Sequence, residues 1–113
     1  MTTTGSQRDV QIGDLVFVGF NRRVIALDRY TGEMVWWWKA PRSGNPVLLL
    51  DRDRLVVSIN GYMYCLDPVF GQLAWSNELK GMGLGIPTLA SARGGSTQSH
   101  AHQHAQQQAA AAS

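Results

Sequence analysis

Apolar residues occur along the chain in short runs of five to seven positions, and turns rich in Gly, Asn, Asp, Arg and Pro separate the runs. Val, Leu, Ile and aromatic residues dominate the runs and favour β-strands, whereas the residues between them interrupt strands. Asn60-Gly61 is a strong hairpin signal, because both residues tolerate the positive φ angles of a type I′ turn, and Asn21-Arg22 is a weaker one. The pattern predicts an all-β fold with strands at 14–20, 23–27, 34–39, 45–50, 54–59, 62–66 and 72–76.

Two stretches of the chain, 26–36 and 65–75, are copies of one motif. Three chemically distinctive positions recur at one constant offset, namely Asp28 and Asp67, Gly32 and Gly71, and Trp36 and Trp75. A period near 40 with four strand-length runs per unit is typical of a propeller blade, which is a four-stranded antiparallel sheet. The sequence therefore predicts two such blades.

The motif resembles the tryptophan-docking motif of PQQ-like β-propellers. That superfamily includes the quinoprotein dehydrogenases and non-enzymatic relatives such as the outer-membrane assembly lipoprotein BamB, and the similarity extends over roughly residues 12–91. The first copy is complete, whereas the second has Cys in place of Ala and Phe in place of Thr. The motif positions are Ala26, Asp28, Thr31, Gly32 and Trp36 in the first copy, and Cys65, Asp67, Gly71 and Trp75 in the second.

The resemblance implies a structural role for the motif, with each Trp packed over the Gly-containing turn of a neighbouring blade. Glycine has no side chain to hold the indole away from the backbone, and the indole N–H can donate to a backbone carbonyl. The motif alone does not imply quinone binding.

The predicted organisation has three parts. Residues 1–9 form a polar, flexible N-terminus, and residues 10–91 hold the two blades together with an orphan first strand at 86–91, which matches 45–50. Residues 92–113 are a low-complexity tail of Gly, Ser, Gln, Ala and His, which has too little apolar bulk to order and is predicted to be disordered. Weak metal capture by its three histidines is an alternative role for the tail.

Three consecutive tryptophans close the fourth strand of the first blade. Side chains alternate between the faces of a strand, so Trp36 and Trp38 share one face and Trp37 points to the other. Trp36 has the docking role, and we interpret Trp37 and Trp38 as surplus aromatic surface at an interface. Ligand stacking is the alternative interpretation.

Two blades cannot close a propeller, which typically needs ~4–8 blades. Either the chain is a fragment, or several copies close one ring. The first blade lacks a convincing opening strand, because 2–10 is polar, so we expect the orphan strand of one chain to complete the first blade of the next. The candidate interface comprises Trp37, Trp38, Ile86, Pro87 and Leu89. By resemblance to seven- and eight-bladed relatives, a homotetramer with eight blades is favoured, and truncation after Gly85 should prevent assembly.

Composition excludes few function classes. The formal net charge of +2 is too small to predict a nucleic-acid partner. One cysteine, Cys65, allows no disulfide within a chain and is interpreted as a small buried hydrophobe. No signal peptide and no apolar run of membrane length occurs, so the predicted location is cytoplasmic with no membrane partner.

The predicted function is a non-catalytic binding or scaffold module that assembles with itself, needs no cofactor and also binds an unidentified protein. The alternative is a fragment of a PQQ-dependent oxidoreductase. The resemblance implies that such enzymes need a calcium-binding carboxylate cluster, a catalytic Asp and often a vicinal disulfide, and the chain offers none of these in the matching positions. A third possibility is an amplified blade pair without a settled partner.

Overall fold

The computed structural model describes residues 10–93, which form two antiparallel sheets. Sheet 1 contains three strands in the order β1-β2-β3, with bounds Leu15–Phe20, Arg23–Asp28 and Met34–Lys39. Sheet 2 contains four strands in the order β4-β5-β6-β7, with bounds Val47–Asp51, Arg54–Ile59, Tyr62–Leu66 and Leu73–Asn77. The predicted all-β fold is confirmed, and the strand bounds differ from the predicted ones by no more than two residues. Predictions for residues 1–9 and 94–113 lie outside the described residues.

The period of the motif extends to the register of the sheets. Strands β1, β2 and β3 precede β5, β6 and β7 by the same offset that separates Asp28 from Asp67. The register between β2 and β3 shifts at Ala26/Leu27, and that between β6 and β7 shifts at Cys65/Leu66, which is the same position one period later. Each unit has a β-bulge at this position, which changes the direction of the strand at the same point in both. The two sheets are therefore structural repeats, and β4 has no counterpart among the described strands of sheet 1.

Both hairpin turns that the sequence predicts form with positive φ angles at their two central residues. The angles are 52° and 90° at Asn60 and Gly61, and 49° and 68° at Asn21 and Arg22. A positive φ is costly for arginine because of its Cβ. The Arg22 side chain offsets this cost by donating from Nε to the Ala40 carbonyl at 2.6 Å and from Nη2 to the Pro41 carbonyl at 2.9 Å. The Asn21-Arg22 turn, which the sequence predicts less strongly, therefore has the same backbone conformation, and the contacts of Arg22 with Ala40 and Pro41 stabilise it.

The chain enters sheet 1 through a short 3-10 helix at Ile12–Asp14. The Gln11 backbone N–H donates to the Asp14 carboxylate at 3.1 Å, and the Asp14 N–H donates to the Gln11 carbonyl at 2.9 Å. In sheet 2 the matching positions, 51–53, turn β4 back against β5. Between residues 10 and 93, no strand pairs with the second edge of β1.

The core lies between the two sheets. Its buried members are Val24, Ala40, Leu55, Val57, Ile59, Tyr64 and Leu66, and the partly buried Phe17, Trp36, Trp38, Leu48 and Tyr62 pack against them. Alternate residues of β5 face sheet 1, since side chains alternate across a strand. Ser58 therefore faces the other side of sheet 2, where it is fully buried and its hydroxyl has no hydrogen-bond partner in the described part of the chain.

Residues 86–91 are not a strand in the single chain. Ala90 alone forms an isolated β-bridge, Leu89 is 8% exposed, and Ile86 is 89% exposed. The expected strand at 86–91 therefore stays a prediction for an assembly. Over residues 10–93, no helix has the length and apolar character to cross a bilayer.

Candidate docking site

The turn in the first copy of the motif is built around Asp28. Its carboxylate oxygen Oδ1 accepts the backbone N–H groups of Tyr30 at 2.7 Å and Thr31 at 3.1 Å. The Gly32 N–H donates to the Asp28 carbonyl at 2.8 Å, and Gly32 has φ 78°, a conformation that glycine adopts without steric cost. The aspartate and the glycine together fix the shape of the turn.

The turn in the second copy has the same geometry. Asp67 Oδ1 accepts the N–H groups of Val69 at 2.8 Å and Phe70 at 3.2 Å, and the Gly71 N–H donates to the Asp67 carbonyl at 2.7 Å. Gly71 has φ 75°. The second copy lacks two contacts of the first. Phe70 replaces the threonine that accepts the Glu33 N–H at 3.2 Å, and Pro68 has no N–H to match that of Arg29, which donates to the Asp14 carbonyl at 2.9 Å. The two differences leave the fold of the turn unchanged.

The Trp36 indole lies directly on the Gly71 turn. A Cβ added at Gly71 would stand 2.5 Å from the indole Cδ2 atom and 2.6 Å from Cε3, so only glycine fits beneath the ring. The indole Nε1–H donates to the Pro68 carbonyl at 2.9 Å, and the ring also contacts Phe17 with centroids 6.1 Å apart. This contact joins the last strand of sheet 1 to the last turn of sheet 2.

We expect Gly71→Ala to lower the free energy of unfolding by about 2–4 kcal/mol, because the new methyl group displaces the Trp36 indole and strains a positive φ. Gly32→Ala is a matched control, since Gly32 has nearly the same φ and its added Cβ would meet no atom within 4 Å. Urea unfolding monitored by circular dichroism measures both, in a Trp75→Ala background in which no tryptophan of a second copy can lie on Gly32. Gly32→Ala should cost only about 1 kcal/mol, and equal losses in the two variants would contradict the contact.

Each sheet also presents one unmatched half of the same contact. The Trp75 side chain occupies the Trp36 position of sheet 2 and is 48% exposed. Gly32 occupies the Gly71 position of sheet 1, and no atom of the described chain covers it. Trp75 pairs with Cys65 on the face of sheet 2 that points away from sheet 1, so it does not reach Gly32 of its own sheet 1.

The apolar face of sheet 1 that points away from sheet 2 repeats a face that is buried in sheet 2. Leu55 and Ile59 are 1% and 0% exposed in the core, whereas Val16 and Phe20, one period earlier, are 47% and 53% exposed. Neither Val16 nor Phe20 is among the interface residues predicted from the sequence. The period of the motif could have found them, because it aligns each with a core residue of sheet 2.

The comparison with protein families decides what kind of repeat this is. Residues 21–103, well over half of the chain, match the family described as outer membrane protein assembly factor BamB, a family of PQQ-like repeats. The chain belongs to this family. A search of curated proteins gave no match.

The extra tryptophans of this PQQ-like repeat protein differ in their surroundings. Trp38 packs against Tyr64 of sheet 2, with ring centroids 5.1 Å apart, and contacts the core. The interpretation of Trp38 as surplus surface is therefore corrected, because the adjacent sheet covers it. Trp37 is 57% exposed on the other face, and its place in an interface stays a prediction. Of the other candidate interface residues, Ile86 is exposed, Pro87 is partly buried and Leu89 is buried.

Cys65 lies where the first repeat has Ala26, and both side chains are fully buried. Burial raises the pKa of the Cys65 thiol, with a smaller opposing effect from Arg54 and further small increases from Asp53 and Asp51. A protonated, buried thiol is a poor nucleophile. The cysteine is therefore a packing residue of sheet 2.

We expect Cys65 to react with a thiol reagent only slowly at neutral pH, and fully once the chain is unfolded. Because its pKa is higher in the folded state, the unfolded chain releases the thiol proton first. The stability that Cys65 contributes is therefore present below the ordinary thiol pKa and is lost as pH rises above it. Urea unfolding across the alkaline range checks this, and Cys65→Ala should show a smaller alkaline loss. Rapid labelling of the folded protein would contradict the assignment.

The residues present do not fit a quinone with its calcium ion. The Asp28 and Asp67 carboxylates accept backbone N–H groups within their turns. Over residues 10–93, no three His, Cys, Asp or Glu side chains group together as metal ligands. The donor set that the resemblance to quinoproteins implies is not assembled in this part of the chain.

Proposed function

We propose that the protein is a non-catalytic β-propeller module that assembles with copies of itself into a closed ring and acts as a binding scaffold. The observation that carries the proposal is the pair of unmatched halves, the exposed Trp75 and the uncovered Gly32. Both belong to a motif whose matched pair, Trp36 on Gly71, already joins the two sheets.

The interface between copies is obtained by placing sheet 1 of a second copy next to sheet 2 of the first in the same way that sheet 2 packs next to sheet 1 within the chain. Trp75 of one copy then lies on the Gly32 turn of the next, and its indole N–H donates to the Arg29 carbonyl, which matches that of Pro68. The exposed Val16 and Phe20 of the next copy face sheet 2 of the first, as Leu55 and Ile59 face sheet 1 within the chain. The contact is head-to-tail, so the two surfaces differ and the assembly closes only as a ring of suitable size.

The ring size follows from two sheets per chain. Propellers typically have ~4–8 blades, so whole chains give only even numbers of blades. Among these we favour eight blades, and hence four chains, from the resemblance to seven- and eight-bladed relatives. A ring of this kind presents its loops at both ends, where a protein partner can bind.

The solution mass of the full chain tests the proposal. Size-exclusion chromatography with light scattering, run over a hundred-fold range of concentration, should give the mass of four chains. A mass of three chains would indicate a ring of six blades and would still support the proposed self-assembly. A single-chain mass at every concentration would contradict the proposal and would assign closure to a different partner chain.

The non-catalytic assignment is tested separately. The purified protein, supplied with pyrroloquinoline quinone and calcium, should neither retain the quinone absorbance after desalting nor reduce an artificial electron acceptor with alcohols or sugars. Stoichiometric retention with turnover would overturn the assignment in favour of the oxidoreductase alternative. The mass measurement does not depend on this result, so self-assembly and the absence of catalysis are tested independently.

A further inference from the structure

Among the described residues, no strand of sheet 1 matches β4 of sheet 2. The edge of β5 that pairs with β4 corresponds to an edge of β1 that no strand covers between residues 10 and 93. The 3-10 helix at Ile12–Asp14 replaces the hairpin turn that would lead a preceding strand back along this edge. An uncovered edge presents unpaired N–H and C=O groups that can accept a further strand.

The segment after sheet 2 repeats the segment that enters β4. Gly44 and Gly85 have φ angles of 139° and 136°, and the residues that follow them show the same order of proline and leucine. Three pairs share one constant offset along the chain: Gly44 and Gly85, Pro46 and Pro87, Leu48 and Leu89. The repeat of backbone conformation and sequence indicates the opening strand of a third sheet.

The two segments also occupy equivalent places on the sheets. A Cβ at Gly19 in sheet 1 would stand 3.1 Å from the Pro46 Cβ and 3.2 Å from the Leu48 Cγ, so the opening segment of sheet 2 lies on that position. The matching position in sheet 2 is Ser58, which lines one cavity together with Pro87. The segment after sheet 2 therefore lies on sheet 2 as the segment before β4 lies on sheet 1.

This position excludes pairing with the same chain's β1. Ser58 faces the side of sheet 2 opposite to Val57 and Ile59, and those two residues pack toward sheet 1. The segment is therefore separated from its own sheet 1 by the thickness of sheet 2. No strand among residues 10–93 joins this segment into a third sheet, so in the proposed self-assembly a second copy supplies the strands that complete it.

We propose that residues 88–92 of one copy add to the free edge of β1 in a second copy, as the fourth strand of its sheet 1. The inference rests on the proposed self-assembly and specifies how the copies are joined. The repeat fixes the register, because β4 pairs with β5 through Leu48 opposite Val57. Leu89 is the counterpart of Leu48 after sheet 2, and Val18 is the counterpart of Val57 in sheet 1. The pair therefore becomes Leu89 of one copy opposite Val18 of the second.

The side chains of the second copy fit this register. In sheet 2, a Cβ at Gly44 would stand 2.8 Å from the Ile59 Cγ2, so Ile59 covers that glycine. The matching glycine, Gly85, has no atom within 4 Å of such a Cβ, and the residue that matches Ile59 is Phe20, which is 53% exposed. Phe20 of the second copy therefore covers Gly85 of the first. The strand and Trp75 reach the same neighbour, so both contacts form in one head-to-tail step.

Disulfide cross-linking between copies tests the register. Cys65→Ala removes the only cysteine and introduces the residue found at the matching position of sheet 1. In that background, Val18→Cys and Leu89→Cys are made as two separate proteins, mixed in denaturant, refolded together and oxidised mildly. Counting from the two-residue turn at 52–53, Leu48–Val57 is a non-hydrogen-bonded pair, in which side chains are closest and disulfide geometry is most accessible.

We expect most of the mixed protein to form a disulfide-linked dimer containing one chain of each type. Ala90→Cys paired with Val18→Cys is the matched control, since a shift of one residue places the thiol on the opposite face of the strand. This control should give at least ten-fold less cross-linked dimer.

The outcomes separate the two proposals. An assembly with the full mass but no cross-link, or with equal yield from the control, would overturn the strand exchange and leave the self-assembly intact. A disulfide within one chain, formed when both cysteines are placed on the same molecule, would also overturn it. A monomeric mass for the Cys65→Ala background, with wild type also monomeric, would instead show that the self-assembly itself is wrong.

Discussion

Replacing Trp75 by alanine is expected to release the assembled protein as folded monomers. The Trp75 side chain is 48% exposed in the single chain, so its removal costs the monomer little. At the proposed interface it becomes a buried aromatic anchor, and loss of such an anchor typically costs ~2–4 kcal/mol per contact. A cost of about 3 kcal/mol weakens each contact about 100-fold. Light scattering should show the mass of one chain at concentrations where the wild type holds four, with an unchanged circular dichroism spectrum.

Two variants make this result specific. Met82→Ala is the control for loss of an exposed apolar side chain, because Met82 is 77% exposed and lies in the connector after sheet 2. It should leave the mass unchanged. Gly32→Ala places a methyl group where the Trp75 indole of a second copy would lie, and should dissociate the assembly as Trp75→Ala does. A Trp75→Ala protein that keeps the full mass would show that this tryptophan is not an interface residue.

Replacing Trp36 by alanine is expected to destabilise the chain itself, by about 3 kcal/mol in the free energy of unfolding. This is the low end of the range for a large aromatic residue replaced by alanine, since the indole retains some exposure. The variant loses the packing on Gly71 and the hydrogen bond to the Pro68 carbonyl at 2.9 Å. Small domains are stable by ~5–15 kcal/mol, so the loss is a large part of the total.

Urea unfolding in a Trp75→Ala background measures this loss without the contribution of dissociation, which would otherwise depend on concentration. Trp37→Ala is the matched control, because Trp37 is the adjacent residue of β3 and is 57% exposed on the opposite face. It should change the free energy of unfolding by no more than about 0.5 kcal/mol. Equal losses for the two tryptophans would contradict the role of the Trp36 contact in joining the sheets.

Trp36 and Trp75 occupy the same position of the same motif, and the expected effects nevertheless fall on different properties. Trp36 has a following sheet within its own chain, so its contact stabilises the monomer. Trp75 has no following sheet among residues 10–93, and in the proposed assembly its contact is made with a second copy. The contrast between the two variants therefore separates the stability of the single chain from the stability of the proposed assembly.

The sequence by itself determined the strands, the turns and the repeat. Strand bounds and the Asn60-Gly61 turn depend on the preferences of residues adjacent in the chain, and the repeat period is a property of the sequence alone. The Asp and Gly positions of the motif were likewise readable, because each turn at Asp28 and Asp67 is closed by bonds within five residues.

Only the tertiary structure decided which copies of the motif are matched and which apolar residues are covered. Gly32 and Gly71 have the same local conformation, yet a tryptophan lies on Gly71 alone. The sequence predicts Trp38 at an interface surface, whereas Tyr64 of sheet 2 packs against it. Val16 and Phe20 are exposed although their counterparts form the core. Local sequence sets backbone conformation, whereas burial depends on whether a second sheet stands opposite. In this chain each sheet packs against the other sheet through one face only.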